Sequence, residues 1–220
     1  MIIPTLNEEA RIKSLLDRLT EFQDVVVVDG GSTDSTCALV LAHPSSPRLM
    51  RVQRGRARQL NAGADTCTGE VLVFLHADTE LPEGAAEAIR RTLTDRLVLG
   101  GNFALSFDGG DRFSRLLGRW YQLQRRLGIY YGDSAIWCRR EVFDLLGGYR
   151  DMPIMEDYDF VRRLERLGST RCLAGPAVTS ARRWQGHGIS RTIAAWVAIR
   201  WLYLAGVSPT RLARLYPVIR

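Results

Sequence analysis

Short apolar runs, rich in β-branched and aromatic residues, recur along the first half of the chain and alternate with segments of helical periodicity. The clearest run, residues 71–75, predicts a strand that is buried on both faces. Further runs predict strands at 1–3, 24–29, 49–52 and 98–107, with Pro4 expected to end the first. Helices are predicted between them, one carrying an apolar stripe at Ile12, Leu15, Leu16 and Leu19, and another over 83–94. This alternation predicts a doubly wound, Rossmann-like α/β fold with a mostly parallel sheet flanked by helices.

The pattern changes after residue 108. Residues 112–127 predict a basic amphipathic helix, and we expect its apolar side chains to face inward: Phe113, Leu116, Leu117, Trp120, Leu123 and Leu127. The same pattern also fits a helix at a membrane interface, although packing against the sheet is the commoner explanation. Strands at 132–138 and 177–179 and helices at 141–146, 155–167, 190–207 and 209–216 complete the prediction. Arginines at 191 and 200 interrupt the apolar tail, so we expect no membrane span.

Composition and charge are those of a mildly basic globular protein. The 220 residues are 46% hydrophobic and 25% charged, with a net charge of +6. Lys13 is the only lysine, and arginine suits phosphate groups or a membrane surface, although an arginine-rich genome would give the same composition. Four scattered cysteines predict free thiols in a reducing compartment. Because Met1 leads directly into a strand, we expect no signal peptide and a cytoplasmic protein.

Acidic residues follow two of the predicted buried strands. Asp29 ends the strand at 24–29, and Asp78 follows the strand at 71–75, in a polar loop with His76. Open α/β sheets bind ligands at the carboxyl ends of their strands. An aspartate there can hold a divalent cation or accept hydrogen bonds from a base or ribose, although Asp78 could also simply end its strand.

Two predicted helix starts carry charge. Arginines and small residues at 54–64 suit contact with an anion, or else form a solvated basic face. Three acids, Glu156, Asp157 and Asp159, open the helix at 155–167, where they also complement the helix dipole.

Together these segments resemble the family 2 glycosyltransferases of GT-A fold. The resemblance is carried, in order, by residues 2–9 (IIPTLNEE), 27–34 (VVDGGSTD), 74–78 (FLHAD) and the pair Glu156-Asp157. It covers nearly the whole chain. It is nearest to a soluble subgroup encoded near radical-SAM and selenium-related genes, which shares the Phe-Leu-His-Ala-Asp form and a Gly-Asp pair, here Gly132-Asp133.

The resemblance implies a role for individual residues. It implies a binding site for the nucleotide sugar at Pro4, Thr5, Glu8, Asp29, Gly31, Ser32, Arg58, Ala77 and Asp78. Within that site Asp29 contacts the base, Arg58 faces the pyrophosphate, and Asp78 with His76 holds a divalent metal. Asp157 is the catalytic base. The acceptor side is expected to comprise Glu156, Asp133, Arg183, Trp184 and His187.

Two departures from the family pattern bear on these roles. His76 stands where the family usually has the first Asp of its metal-binding D-x-D. A neutral imidazole ligates Mn²⁺ but is a poor ligand for Mg²⁺, so we expect manganese to be preferred. Gly30 replaces the second acid of the usual Asp-Asp pair, which removes one contact near the nucleotide.

The expected activity is metal-dependent transfer of a sugar from a nucleotide diphosphate, with inversion, to a small-molecule or lipid-linked acceptor. We expect one glycosyltransferase domain over 1–220, with a nucleotide-binding half at 1–100, an acceptor and catalytic half at 101–190, and C-terminal helices at 190–220. No nucleic acid is expected as a partner, and peripheral contact at the inner face of the membrane stays open. The alternatives are a nucleotidyltransferase of similar fold, or a non-catalytic basic module that binds nucleic acid or anionic membrane.

Overall fold

The structure of the chain is a computed structural model that describes residues 1–109, 111–181 and 189–215, with only the backbone described at 189–191. Its strands are β1 Ile2–Thr5, β2 Val26–Asp29, β3 Arg48–Arg51, β4 Val71–Phe74, β5 Thr79–Glu80, β6 Val98–Phe107, β7 Ile136–Arg139 and β8 Ser169–Thr179. Its helices are α1 Ile12–Asp17, α2 Thr36–Leu41, α3 Arg56–Thr66, α4 Ala85–Thr92, α5 Arg112–Arg125, α6 Arg140–Leu145, α7 Glu156–Leu167, α8 Ile189–Leu204 and α9 Pro209–Leu215.

The described strands form one eight-stranded sheet in the order β3-β2-β1-β4-β7-β6-β8-β5. The ladders from β3 to β4 are parallel, and so is the ladder between β6 and β8. β7 runs antiparallel to both β4 and β6, and β5 runs antiparallel to β8. The predicted α/β fold, a mostly parallel sheet flanked by helices, is therefore confirmed.

The sheet is covered on both faces, because successive strand residues point to opposite sides. Val73 and Leu75 pack with residues of α1 and α4 on one face. Leu72 and Phe74 pack with residues of α3, α6 and α7 on the other. The prediction that residues 71–75 are buried on both faces is thus confirmed. The four cysteines are free thiols, as expected.

The first strand and helix differ from the prediction at their ends. β1 continues through Pro4 to Thr5. The carbonyl of Ile2 accepts from Leu75 and that of Thr5 from Gly30, so Pro4 faces the β4 side, beyond the end of that strand, where no N–H is needed. Helix α1 covers only Ile12–Asp17, so Leu19 of the predicted apolar stripe lies after its end.

Two strands were missed or shortened in the prediction. β8 covers Ser169–Thr179 rather than 177–179, because it pairs with β6 on both sides of an irregularity that contains Gly175 and Pro176, which are poor strand formers by themselves. β5 is only two residues long and directly follows Asp78. At 132–138, a 3₁₀ turn over Gly132–Ser134 precedes β7.

The prediction that α5 turns all its apolar residues inward is wrong. Leu117 is buried and Phe113 is half-buried, but Leu116, Trp120, Leu123 and Leu127 are exposed. The buried side of the helix instead includes the polar residues Ser114 and Gln124. None of the described helices is long and apolar enough to cross a bilayer.

Candidate active site

Asp29 organises the loop at the carboxyl end of β2. Its carboxylate accepts hydrogen bonds from the backbone N–H groups of Gly31 (3.0 Å) and Ser32 (3.0 Å) and from the Ser32 hydroxyl. Burial acts to raise the pKa of Asp29, but these hydrogen bonds outweigh it, and the pKa is lowered. The carboxylate is therefore ionised at neutral pH and holds the loop over the end of the sheet.

The loop after β1 is bonded to the loop after β2. The Thr33 N–H donates to Asn7 Oδ1 (2.9 Å), and the Glu8 N–H donates to the Thr36 hydroxyl (2.8 Å). Asn7 accepts the bond from Thr33 with a positive φ of 55°, which asparagine tolerates better than most residues. Thr5 is buried and Pro4 half-buried, so the outer wall of this region is formed by Glu8, Gly31 and Ser32.

The structure gives a local reason for Gly30. The side chain of Gln59, from α3, donates to the carbonyls of Thr5 (2.9 Å) and Val28 (2.7 Å). A Cβ on Gly30 would lie 3.0 Å from Gln59 Oε1. The amide that ties α3 to β1 and β2 therefore fills the space that a side chain at position 30 would need.

A tight turn after β4 carries Ala77 and Asp78. The Thr79 N–H donates to the His76 carbonyl (3.1 Å), and the Thr79 hydroxyl bonds to Thr179 (3.0 Å). Ala77 is buried, whereas His76 and Asp78 are half-buried. β5 thus fixes the turn to β8 and holds Asp78 at the carboxyl end of β4.

His76 and Asp157 meet at Gly132. Because β7 runs antiparallel to β4, with Phe74 opposite Ile136, the turn before β7 lies at the carboxyl end of β4. The Gly132 N–H donates to Asp157 Oδ2 (2.8 Å). A Cβ on Gly132 would lie 2.6 Å from His76 Nε2 and 3.3 Å from Asp157 Oδ2. A glycine at this position lets the two side chains approach each other.

Arg56, at the start of α3, lies among the acidic residues of the site. Its Nη1 donates to Glu156 Oε1 (3.2 Å), and its side chain is 43% exposed. Burial acts to lower the pKa of Arg56, but the charges of Glu156, Asp157 and Asp78 outweigh it and raise the pKa. The guanidinium therefore stands close to acids that come from two distant parts of the chain.

The side chain of Arg58 is bonded to residues outside this group of acids. Its Nε donates to Asp151 Oδ2 (2.8 Å) and its Nη1 to Gln53 Oε1 (2.7 Å), both on the exposed surface. Two positions separate Arg56 from Arg58, so their side chains leave α3 in different directions. Of these two arginines, the structure brings Arg56 to the acids.

The two acids at the start of α7 lie in different environments. Glu156 is buried, which raises its pKa; Arg56 opposes that shift and Asp157 adds to it. Asp157 is half-buried, and its two oxygens accept from Gly132 and from the N–H of Tyr158 (2.7 Å). A carboxylate has about four lone-pair sites, so Asp157 can still accept a proton from a ligand.

Among the described residues, no three His, Cys, Asp or Glu side chains are close enough to hold a metal ion by themselves. Asp78 and His76 nevertheless belong to one turn, at the edge where Arg56 also stands. A cation that is shared with a diphosphate needs only one or two protein ligands, because phosphate oxygens and water complete its shell. An oxygen and a nitrogen ligand from this turn fit such a cation.

The structure describes only some of the residues that were expected on the acceptor side. Asp133 is half-buried in the 3₁₀ turn next to Gly132. Arg183, Trp184 and His187 lie outside the described residues.

Sequence reasoning missed three features of the site: Arg56, Gln59 and the contact that Gly132 makes with His76 and Asp157. The polar start of α3 was a signal for Arg56, but choosing it over Arg58 required its partner 100 positions away.

Comparisons with known proteins identify the family of the chain. The profile described as "Glycosyl transferase family 2" matches residues 1–147. A PGL/p-HBAD biosynthesis glycosyltransferase of Mycobacterium bovis is 31% identical in an alignment of 199 positions that covers 82% of this chain and 71% of that protein. An undecaprenyl-phosphate 4-deoxy-4-formamido-L-arabinose transferase of Yersinia pestis is 27% identical in an alignment of 95 positions that covers 37% of this chain and 29% of that protein.

A solved structure shares the fold. A mannosyltransferase of Pyrobaculum calidifontis, in complex with GDP-Man and Mn²⁺, is 26% identical with a TM-score of 0.61. The match covers 81% of this chain, and this chain spans 55% of the length of that one.

Proposed function

This chain belongs to glycosyl transferase family 2, and we propose that it is a metal-dependent, inverting glycosyltransferase that uses a nucleotide-diphosphate sugar. The observation that carries the proposal is the convergence at Gly132 of His76, from the turn that carries Asp78, and Asp157, from the start of α7. This places Asp78, which follows the central strand β4, near Glu156 and Asp157, which lie at the start of α7 across the edge of the sheet. A nucleotidyltransferase or a non-catalytic basic module is less well supported, because family membership favours glycosyl transfer.

The donor is proposed to lie along the loops after β1, β2 and β4. Asp29 would fix the loop that contacts the base, with Gly31, Ser32 and Glu8 along its wall. Asp78 and His76 would hold the divalent metal, which when bound stabilises the charge of the departing diphosphate. The mannosyltransferase solved with GDP-Man and Mn²⁺ supports a metal and a nucleotide sugar here.

Arg56 is proposed to contact the diphosphate. Its guanidinium is half-exposed and stands among carboxylates that a bound metal would partly neutralise. Arginine presents several donors in a fork that matches phosphate oxygens. The proposal assigns to Arg56 the position that the family resemblance gave to Arg58.

Asp157 is proposed as the general base. The carboxylate, held by the Gly132 N–H, takes the proton of the acceptor hydroxyl as that oxygen bonds to the anomeric carbon. The bond from that carbon to the diphosphate oxygen breaks on the opposite face. One base and one displacement give inversion, unlike the paired carboxylates of a retaining hydrolase.

The acceptor is proposed to approach from the side of Glu156 and Asp133, and to be a small molecule or a lipid-linked one. The Yersinia relative, whose name specifies undecaprenyl phosphate, supports the second class. We also propose that the chain falls in the subgroup that carries the 74–78 sequence FLHAD followed by Gly132-Asp133.

Titration of the protein with nucleotide sugars by calorimetry, with and without Mn²⁺, tests this function. We expect Mn²⁺-dependent binding that Asp78→Asn reduces by about tenfold or more, since it removes a charged ligand. Asp65→Asn, on the exposed side of α3, is the matched control. Equal Mn²⁺-dependent affinities of wild type and Asp78→Asn would contradict the assignment.

A further inference from the structure

Exposed apolar side chains are concentrated in one part of the molecule. Of the fourteen large hydrophobic residues that are exposed among the described residues, ten lie within 116–127 and 193–215. Single exposed hydrophobic residues are ordinary on a protein surface, but a group of them marks a surface that binds something.

Helix α5 contributes a continuous stripe. Leu116, Trp120 and Leu123 recur at the spacing of one helix face, Leu127 follows in the turn after the helix, and Trp120 is 53% exposed. The stripe lies beside the buried side of the helix, where Gln124 is found. These side chains are therefore presented to solvent rather than to the sheet.

Helix α8 contributes a second stripe. Ile193, Val197, Trp201 and Leu204 follow one face, and Trp201 is 64% exposed. Every exposed position of the helix from residue 193 onward is occupied by Ile, Ala, Val, Trp or Leu. A helix on the surface of a monomer in water normally turns polar side chains outward.

The two helices contact each other through side chains. Arg200 Nη1 of α8 donates to Gln124 Oε1 of α5 (2.8 Å), and Trp196 packs in one cluster with Leu117 and Phe113. Leu123 is next to Gln124 and Trp201 is next to Arg200, so each stripe borders the seam between the helices. We call the two stripes together the α5–α8 surface.

The two helices themselves carry arginine but no acidic residue, and the nearest acids are Asp111, which caps α5, Glu165, which pairs with Arg125, and Asp159, which accepts from Tyr203. Residues 166–220 contain nine arginines and no acidic residue, whereas the first 165 residues contain 21 basic and 24 acidic residues. Helix α5 likewise contains arginines but no acid, and Arg112, Arg115 and Arg119 are exposed on it. Apolar and tryptophan side chains bordered by arginine are the composition of helices that lie in an anionic membrane interface.

We propose that the α5–α8 surface docks the protein onto an anionic lipid bilayer. Tryptophan and aliphatic side chains would enter the headgroup boundary while the neighbouring arginines meet lipid phosphates. A second copy of the chain suits this surface less well, because a two-fold interface would bring the same arginines against each other.

The surface adjoins the candidate active site. Tyr121 of α5 contacts Tyr131 (ring centroids 6.0 Å apart), which stacks on Tyr158 (5.5 Å), the neighbour of Asp157. Ile199 of α8 packs with Met155 and Tyr158 at the start of α7. If the proposed glycosyl transfer holds, docking would place a lipid-carried acceptor beside Asp157; the docking itself does not depend on that function.

Flotation with vesicles tests the proposal. The wild-type chain, without donor or metal, is mixed with vesicles of phosphatidylcholine alone or of phosphatidylcholine with phosphatidylglycerol. We expect binding to the second kind only, weakened by salt. The double variant Trp120→Gln/Trp201→Gln should reduce it by about tenfold or more, because two interfacial anchors are lost. Leu97→Gln/Leu145→Gln removes two apolar residues that are even more exposed but lie elsewhere, and this variant should bind as the wild type does.

Each other result counts against the proposal. It is overturned if the wild type floats with neither kind of vesicle, floats equally with both, or loses binding equally in both double variants. A wild-type dimer that Trp120→Gln/Trp201→Gln separates, with no vesicle binding, would assign the surface to a second copy. Because no sugar transfer is measured, failure here leaves the proposed function standing, and failure of that function leaves vesicle binding intact.

Discussion

The backbone N–H of Gly132 donates a 2.8 Å hydrogen bond to Oδ2 of Asp157, and the α-carbon of the same glycine lies against the imidazole of His76. One residue thus orients the proposed base and sets its distance from the turn that carries Asp78. This contact exists because β7 is antiparallel to β4, which brings the residues before β7 to the end of β4.

Gly132→Ala should impair transfer while leaving the fold intact. The added Cβ would lie 2.6 Å from His76 Nε2, so the ring or Asp157 must move. A displacement of about 1 Å at a reacting group can lower the rate by about 100-fold. Turnover and thermal unfolding measure the two effects. Gly69→Ala is the control, because its Cβ would meet only ordinary contact at 3.6 Å. Full activity in Gly132→Ala would show that the position tolerates a side chain.

Arg56→Gln and Arg58→Gln should differ in donor binding. Arg56 stands among the site's acids, whereas Arg58 is bonded to Asp151. A hydrogen bond to a charged group contributes about 1.5–3 kcal/mol, so Arg56→Gln should weaken nucleotide-sugar binding by roughly 10- to 100-fold. Calorimetry with a nucleotide sugar and Mn²⁺ makes the comparison. The opposite order of the two variants would return the diphosphate contact to Arg58.

His76→Asp should shift metal preference from Mn²⁺ toward Mg²⁺. A carboxylate is a harder, charged ligand than a neutral imidazole. The donor affinity measured with Mn²⁺, divided by that measured with Mg²⁺, should fall by about tenfold. A change of this size is expected when one ligand that favours Mn²⁺ is lost. His43→Asn, at a histidine that bonds Asp17 and Ser45 instead, is the control. An unchanged ranking of the metals would show that His76 serves only its contact with Gly132.

Glu156 should make stability depend on pH. Its folded-state pKa lies above the ordinary value of 4.5, chiefly because of burial. Between those two values the unfolded chain binds fewer protons than the folded one, so stability falls as pH rises. Relative to Glu156→Gln, the free energy of unfolding of the wild type should fall by about 1.4 kcal/mol for each pH unit between the unfolded-state and folded-state pKa values. Below pH 4.5 it should not change relative to that variant.

Denaturant unfolding across pH 4–8 measures this effect. Glu141→Gln, at an exposed position of α6, is the comparison variant. A wild type that gains stability over Glu156→Gln as the pH rises would mean that Arg56, not burial, dominates the environment of Glu156.

Patterns that depend on local alternation were sufficient to predict much of the fold. The strand at 98–107 has the predicted bounds, because apolar residues alternate along it and Asp108 follows. β8 was predicted only at its end, since its stability comes from the ladder with β6, a partner about 70 positions earlier. The prediction of the inward face of α5 was wrong, because the exposed apolar stripe and the buried side lie next to each other on the helix.

The candidate site divides in the same way. Asp29 and Asp78 were predictable because each follows a buried strand, and strand ends are where α/β sheets bind ligands. The choice of Arg56 over Arg58 depends on Glu156, and the need for a glycine at 132 depends on His76. Both contacts are set by how the sheet brings distant segments together, which spacing along the chain does not reveal.

The most direct test of the account is the turnover of Asp157→Asn measured beside its donor binding, with a cognate donor and acceptor. Loss of a general base lowers rates by about 10²–10⁴, so turnover should fall by that factor. Donor binding should stay within about threefold, roughly 0.6 kcal/mol, with Glu156→Gln as the control. Near-normal turnover in Asp157→Asn with a disabled Glu156→Gln would transfer the role to Glu156. Loss of donor binding in Asp157→Asn would contradict the assignment of a base altogether.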